Sequence, residues 1–293
     1  MLGSLYLAGT PHGQHLDRRC WPAVLGALRS LGLGWADAKA GLRAKGLIAE
    51  STALRANDAL EWAIQVAELG GMLTCLDPGY PQRWLAILKD QAPPVAWVAG
   101  EADSELPSLS VVGSRHVEPF VHRFVGEVAR NAVDLRFRVV SGAALGCDQT
   151  ALNAASRHDG STLAILPYGL ELYEGDANSQ QVLASFCEPR EGFSRGRAME
   201  RNGLIYAASR FTVVGQVRFR EGGTWYGATS AIRRGLTQIL VRRPGSNEPE
   251  EVVRGARALV ALGAVYLDEP GQLEDFLQAS PLDHGLFASL RAG

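Results

Sequence analysis

Lysine is nearly absent from the 293-residue chain: Lys39, Lys45 and Lys89 are the only lysines among 29 basic side chains. The positive charge is therefore almost all arginine, whose forked donors match phosphate geometry, although a coding bias toward arginine leaves the same composition. Long hydrophobic runs are missing too. None approaches the ~18 residues of a membrane span, which excludes a helical membrane protein. Cysteine is scarce and scattered: Cys20, Cys75, Cys147 and Cys187 form no Cys-x-x-Cys pair, which argues against a disulfide framework and a zinc site. His12 and His15 are the one close histidine pair, with no third ligand beside them, and neither a metal nor another cofactor is expected. Met1–Leu7 lacks the basic start and sustained apolar core of a signal peptide, so a cytoplasmic location is expected.

What remains is the composition of a soluble globular chain, 46% hydrophobic and 20% charged with a net charge of −2, long enough for one large domain and a small one. Its charge is unevenly placed. Residues 107–245 carry 17 basic and 12 acidic groups, whereas residues 246–293 carry 3 and 8; a local positive face is what a polyanion requires. Apolar residues from Trp21 to Leu31 recur at helical spacing, Gly32-Leu33-Gly34 breaks the run, and Ala38–Lys45 and Asp58–Ala67 resume it. This predicts a small helical module over residues 1–70, followed by the main domain over 71–293. A strand at Met72–Leu76, a turn through Asp77–Pro81, a helix at Gln82–Lys89 and a strand at Val95–Gly100 form a lead-in expected against a sheet edge.

The centre of the main domain repeats one grammar. Leu109-Ser110-Val111-Val112 is a strand-like run ending in the small-residue turn Gly113-Ser114-Arg115, and a helix follows from Pro119 to about Val133. Phe137–Val140 is a second such run, closed by Ser141-Gly142-Ala143-Ala144-Leu145-Gly146-Cys147-Asp148 ahead of the helix-favouring Gln149–Arg157. Thr162–Pro167, Phe211–Gly215 and Thr237–Val241 read as further strands, and the stretch from Glu171 to about Val182 as a solvated loop rather than a lid. Strand, turn and helix in series predict an α/β fold, Rossmann-like and doubly wound, with a mostly parallel sheet whose turns share one ligand-binding edge. Such turns bring backbone N–H groups and a helix N-terminus to an anion, or serve only as turns. Asp148 is expected as an N-cap, and Gly222-Gly223-Thr224 is a third turn ahead of a helix. In the most basic stretch, Arg197–Ser209 reads as a helix that sets Arg197, Arg201 and Leu204 on one side. Those arginines either face a phosphate backbone or pair with Glu200 and solvent.

Ser110–Arg115 and Val139–Asp148 resemble the paired "VGSR" and "SGxAxGxD" signatures of the DNA-processing protein A (DprA/Smf) family. Leu76–Pro81, Pro93-Pro94-Val95 and Arg201-Asn202-Gly203-Leu204-Ile205 extend the likeness, in order, over roughly residues 70–265. The resemblance implies single-stranded DNA held by Gly113, Ser114 and Arg115, by Ser141, Gly142, Ala143 and Gly146, and by Gly222, Gly223 and Thr224. Arg195, Arg197, Arg201 and Asn202 would line its path, with no bond broken. It further implies a homodimer that protects the strand and loads the recombinase RecA, in natural transformation or recombinational repair. The family's optional C-terminal winged-helix module is not expected in what remains after these motifs.

The chain departs from the family's Phe-Pro-x-Arg-Asn-Arg segment. Ala198 replaces a Phe suited to base stacking, Met199 the Pro and Gly203 the second Arg, so that Phe193 or Tyr206 would have to supply the ring. The alternative on the same fold is a nucleotide-binding sensor or nucleotide hydrolase, with Asp148 and Glu221 as candidate acid–base groups. Only Gly222-Gly223-Thr224 survives of the Pro-Gly-Gly-x-Gly-Thr-x-x-Glu signature of such hydrolases. A third reading makes the basic segment a protein-docking surface; three small-residue turns at one sheet edge favour it least.

Overall fold

Short apolar runs without polar alternation make the centre of the molecule. β3 (Ser108–Val112), β4 (Arg138–Ser141), β5 (Thr162–Leu166) and β7 (Phe211–Val214) are buried at every position, as strands covered on both faces must be. The computed structural model describes residues 35–48, 71–75, 77, 80–100, 106–175 and 180–278. Among them β1 (Met72–Thr74), β2 (Val95–Ala99), β6 (Gln181–Ser185), β8 (Gln238–Arg242) and β9 (Val265–Leu267) complete one nine-stranded sheet in the order β1-β2-β6-β5-β4-β3-β7-β8-β9. From β6 to β9 every pairing is parallel. The chain winds outward from β3 to β6, returns to β7 beside β3, and winds the other way. The strand order therefore reverses between β3 and β7, the place where open α/β sheets bind ligands beyond their carboxyl ends.

Alternation along the strands divides the interior in two. Val111, Val139, Val213 and Leu240 pack on α3 (Pro119–Asp134), α4 (Cys147–Ser156) and α8 (Leu273–Gln278). Val112, Val140, Val214 and Ile239 pack on α5 (Arg195–Ala207), α6 (Gly222–Arg234) and α7 (Glu250–Ala261). α3 shows why these segments are helical. Pro119 opens it at a position where a missing N–H does no harm, and Val121, Val125, Val128, Ala129 and Ala132 form its buried stripe. α6 ends at Gly235, whose φ of 62° closes the helix in the left-handed region.

The lead-in meets the sheet edge as expected. β1 and β2 pair antiparallel, and β2 pairs antiparallel with β6. α2 (Gln82–Leu88) is fixed by Trp84, whose indole N–H donates to Leu204 O at 2.9 Å. Of the helical module expected over residues 1–70, α1 (Trp35–Ala44) is described; its Leu42, with Ile48 beyond it, shares a hydrophobic cluster with Tyr80, Trp84 and Leu88. The helical runs expected between Leu16 and Leu31 and over Asp58–Ala67, with His12, His15 and Cys20, lie outside the described residues. One expectation needs correction: the loop drawn to about Val182 ends in β6, which completes the parallel set against β5. Before it, Leu170–Leu172 is a single 3-10 turn whose Glu171 accepts a hydrogen bond from Arg190 at 2.6 Å.

A buried pair ties β8 to the reversal point. Arg242 Nε donates to Gly215 O at 2.8 Å, while its two terminal nitrogens reach Glu248 at 2.8 and 2.5 Å. Burial pushes the Glu248 carboxyl up, but the Arg242 hydrogen bonds, the Gly245 N–H and the Arg242 charge together outweigh it and hold the group below its usual value. Glu248→Ala strands a buried guanidinium, and equilibrium unfolding in urea at pH 7 is expected to show a loss of about 3–5 kcal/mol. Since the folded carboxyl titrates below the unfolded one, the wild-type advantage is present at neutral pH and shrinks as the pH falls into the acid range.

Candidate functional site

The carboxyl ends of β3 and β7 are joined directly. Ser114 donates from its backbone N at 3.0 Å and from Oγ at 3.2 Å to Gln216 O, and Gly215 N donates to Val112 O at 2.9 Å. Cys147, the first residue of α4, lies beneath this junction. A Cβ on either Gly113 or Gly215 would run into its Sγ, so both positions require glycine. Burial raises the Cys147 thiol to about 12; the thiolate needed for nucleophilic chemistry is not formed at neutral pH.

The loop after β4 turns its donors inward. Ser141 Oγ donates to Val111 O at 2.6 Å, and the first N–H of α4, from Cys147, donates to Ser114 O at 3.2 Å. Gly146 is the N-cap, with φ 81°, and a Cβ there would strike the carbonyls of Ser114 and Arg115. Asp148 is thus not the expected N-cap. It lies in the first turn, buried, where the N–H groups of Gly142, Ala144 and Gly113 serve its carboxylate. Ala143 between them has φ 55°, a left-handed conformation uncommon for a side-chain-bearing residue.

Arg201 completes this arrangement from the other side. It is 5% exposed, and its Nη1 donates to Gly142 O and, at 2.6 Å, to Ile165 O. Its Nε holds Asn202 Oδ1 at 3.3 Å, which leaves the Asn202 amide nitrogen beside Gly223. Helical spacing predicts one shared face for Arg197, Arg201 and Leu204. The structure buries Arg201 and Leu204 and gives Arg197 to Glu191 and to Gly192 O, the latter at 2.9 Å. Glu200, the partner weighed for these arginines, holds neither.

Above this floor is a cleft of about 840 Å³ at the reversal point. Gly113, Ser114, Arg115, Arg195, Arg201, Asn202, Gly222, Gly223 and Thr224 line it, whereas Ser141, Gly142, Ala143, Gly146 and Arg197 do not. Arg115 and Arg195 are exposed and have no hydrogen bond or ion pair among the described residues. Arg218 adds a fourth cation, 3.9 Å from the exposed Glu221 and 3.6 Å from Glu251. α6 enters with its first N–H groups uncapped by any side chain, so they are open to an anion. Two residues weighed as stacking rings separate here: Phe193 is 57% exposed on the cleft wall, whereas Tyr206 is 2% exposed. Arg218 escaped the sequence reading because only the return of the chain after β7 brings it to the cleft. No cluster of metal-ligating side chains occurs among the described residues, and none of their helices is long and apolar enough to cross a membrane.

Asp148 carries a pH dependence. Burial raises its carboxyl from 3.8 to about 6, against the pull of Arg201 and of three backbone N–H groups. The folded chain therefore holds more protons than the unfolded chain between those values. Stability from this group is complete below about pH 4 and is lost as the pH rises through about 6, by roughly 3 kcal/mol. Denaturant unfolding of wild type and Asp148→Asn from pH 4 to 7 is expected to show their stability difference moving by that amount, the wild type falling relative to the variant. Parallel curves would contradict this.

A family model described as DNA recombination-mediator protein A matches residues 71–278. Protein Smf of Synechocystis is 28% identical over 223 residues, 72% of this chain and 54% of its own; a DNA processing protein DprA of Mycobacterium tuberculosis is 27% identical over 197 residues, 64% and 50%. The chain thus spans about half the length of the curated relatives it matches. The DNA processing protein A of Streptococcus pneumoniae shares the fold at a TM-score of 0.72 and 22% identity, over 96% of this chain and 97% of that one. That of Helicobacter pylori, studied for its single-stranded DNA binding mode, gives 0.59 and 22% over 71% and 96%. With the family model spanning most of the chain, from β1 to α8, the protein belongs to the DNA recombination-mediator protein A family, the DprA/Smf proteins.

Proposed function

We propose that this chain binds single-stranded DNA in the cleft at the β3/β7 reversal and acts by holding the strand, without breaking a bond. The observation that carries this reading is the pairing of two unpartnered guanidinium groups, Arg115 and Arg195, with the uncapped N-terminus of α6 on one cleft. Phosphates are met by arginine and by helix N–H groups; Phe193 offers a ring on which a base can stack, in place of the missing ring at Ala198. The loop Ser141–Gly146 has a supporting part: its Ser141 hydroxyl and its Gly142 and Ala144 N–H groups are engaged within the protein, and Gly146 packs against the carbonyls of Ser114 and Arg115. Arg201 supports the loop from beneath, and Arg197 fixes the approach to α5.

Family membership supports the wider proposal. In it the protein is a cytoplasmic homodimer that protects single strands and delivers them to the recombinase RecA, in natural transformation or recombinational repair. RecA filament formation on a strand already bound by the protein, followed with and without it, tests that part.

Binding of labelled oligo-dT and its duplex across a salt series tests the cleft. Tight, salt-sensitive preference for the single strand is expected. Arg115→Ala and Arg195→Ala should each weaken binding and reduce the salt slope by about one, while Phe193→Ala should cost about 1–3 kcal/mol with the slope unchanged. Equal slopes in wild type and both arginine variants would remove the cleft from the path.

A further inference from the structure

A second cavity, of about 650 Å³, opens beside the cleft, between α5, α6 and the lead-in residues Leu88–Pro94. Leu88, Pro94, Phe186, Leu204 and Leu236 give it an apolar wall, and the exposed Tyr226 stands on its rim. Its size and its mainly apolar lining are those of a small-ligand site. Met199, Asn202 and Tyr206 line both this cavity and the cleft, so the two share a partition one helix face thick.

Position 203 adds no side chain to the space of this cavity. Gly203 sits mid-helix in α5, its backbone is partly exposed, and a Cβ there would meet nothing nearer than Arg234 Nη1 at 3.9 Å. Glycine inside a helix is destabilising relative to alanine by roughly 1 kcal/mol, and no left-handed φ or close backbone contact requires it at this place. The helix gives up stability there and gains open space beside the cleft. Polar groups border the opening: Asn202, with its amide oriented by Arg201, and the Arg234–Gln91 hydrogen bond at 2.6 Å. An apolar slot with an aromatic rim and a few edge donors and acceptors fits one planar, partly polar ring system, and the adjoining anion cleft indicates what that ring is attached to.

We infer that this cavity receives an unstacked nucleobase of the strand whose phosphates lie in the cleft. The inference rests on the single-strand reading of the cleft. In it, the base is shielded from water by the apolar wall and covered by Tyr226, while Asn202 stands between base and phosphate and can donate to either. Phe193 in the cleft and the adjoining cavity then grip successive parts of one strand.

Gly203→Leu places an isobutyl group in the cavity, beside Asn202 and Tyr206, from within a helix that favours leucine over glycine, so the variant should melt no lower than wild type. Its affinity for oligo-dT should fall about tenfold, the scale of one lost base contact, whereas a strand of the same length made of abasic sites should distinguish wild type from variant by less than about threefold. Tyr226→Ala, a change at an exposed rim residue, should reproduce the loss on oligo-dT in the same direction. If wild type binds oligo-dT with the expected salt dependence and Gly203→Leu and Tyr226→Ala both bind it equally well, the base pocket is overturned and the cleft reading stands. If wild type binds neither strand at low salt, the cleft reading fails and this inference with it.

Discussion

Two opposite charges buried on either side of Gly142 organise the crevice. Arg201 takes the carbonyls of Gly142 and Ile165, from the ends of β4 and β5, while Asp148 takes the N–H groups of Gly113, Gly142 and Ala144, from the ends of β3 and β4. Three strand ends and two helices are thereby held at one point. Removing such charges from water is unfavourable, and burial moves Asp148 up and Arg201 down, each toward its neutral form. The arrangement persists because Arg201 Nη1 meets two backbone carbonyls and the Asp148 carboxylate three backbone N–H groups. The price of this rigidity is that the β4 loop keeps few donors for a ligand. Charge in the cleft comes instead from side chains around the loop, above all Arg115, which the loop displays.

This division explains what the sequence could and could not tell. Strand, small-residue turn and helix are local features, and β3, β4, β5, β7 and β8, with α3, α4 and α5, are legible to within a residue or two; α6 is not, for it begins at Gly222, so that the expected turn Gly222-Gly223-Thr224 is the helix's own first turn. Nor is β6. Val182 to Ser185 is a short apolar run behind a polar stretch, and what makes it a strand is the gap between β5 and β2, which no local pattern records. The antiparallel attachment of β2 was invisible for the same reason.

Among the candidate site residues, Gly113–Arg115 and Ser141–Gly146 follow β3 and β4 at one edge, a placement the parallel sheet alone dictates. The direction of their donors was not readable. Spacing does not show whether an N–H points to solvent or to a buried carboxylate, and Asp148 looks like a helix cap in either case. Arg201 did leave a signal: it shares a helical face with Leu204 and Ile205, both core residues, so a surface role for its guanidinium was already in conflict with its neighbours. The cavity beside Gly203 could not be read at all, since an absent side chain describes a space only once the surrounding walls are known.

The sheet order also has a consequence for the order of assembly. β1 and β2 come early in the chain but reach the parallel strands only through β6, with Trp97 opposite Ser185. β3, likewise, gains its second neighbour only when β7 arrives, with Leu109 opposite Phe211. Contacts that close such long loops are slow to form. During synthesis the lead-in must wait, with its tryptophans uncovered, until most of the chain has emerged; the first strands made are among the last to be seated.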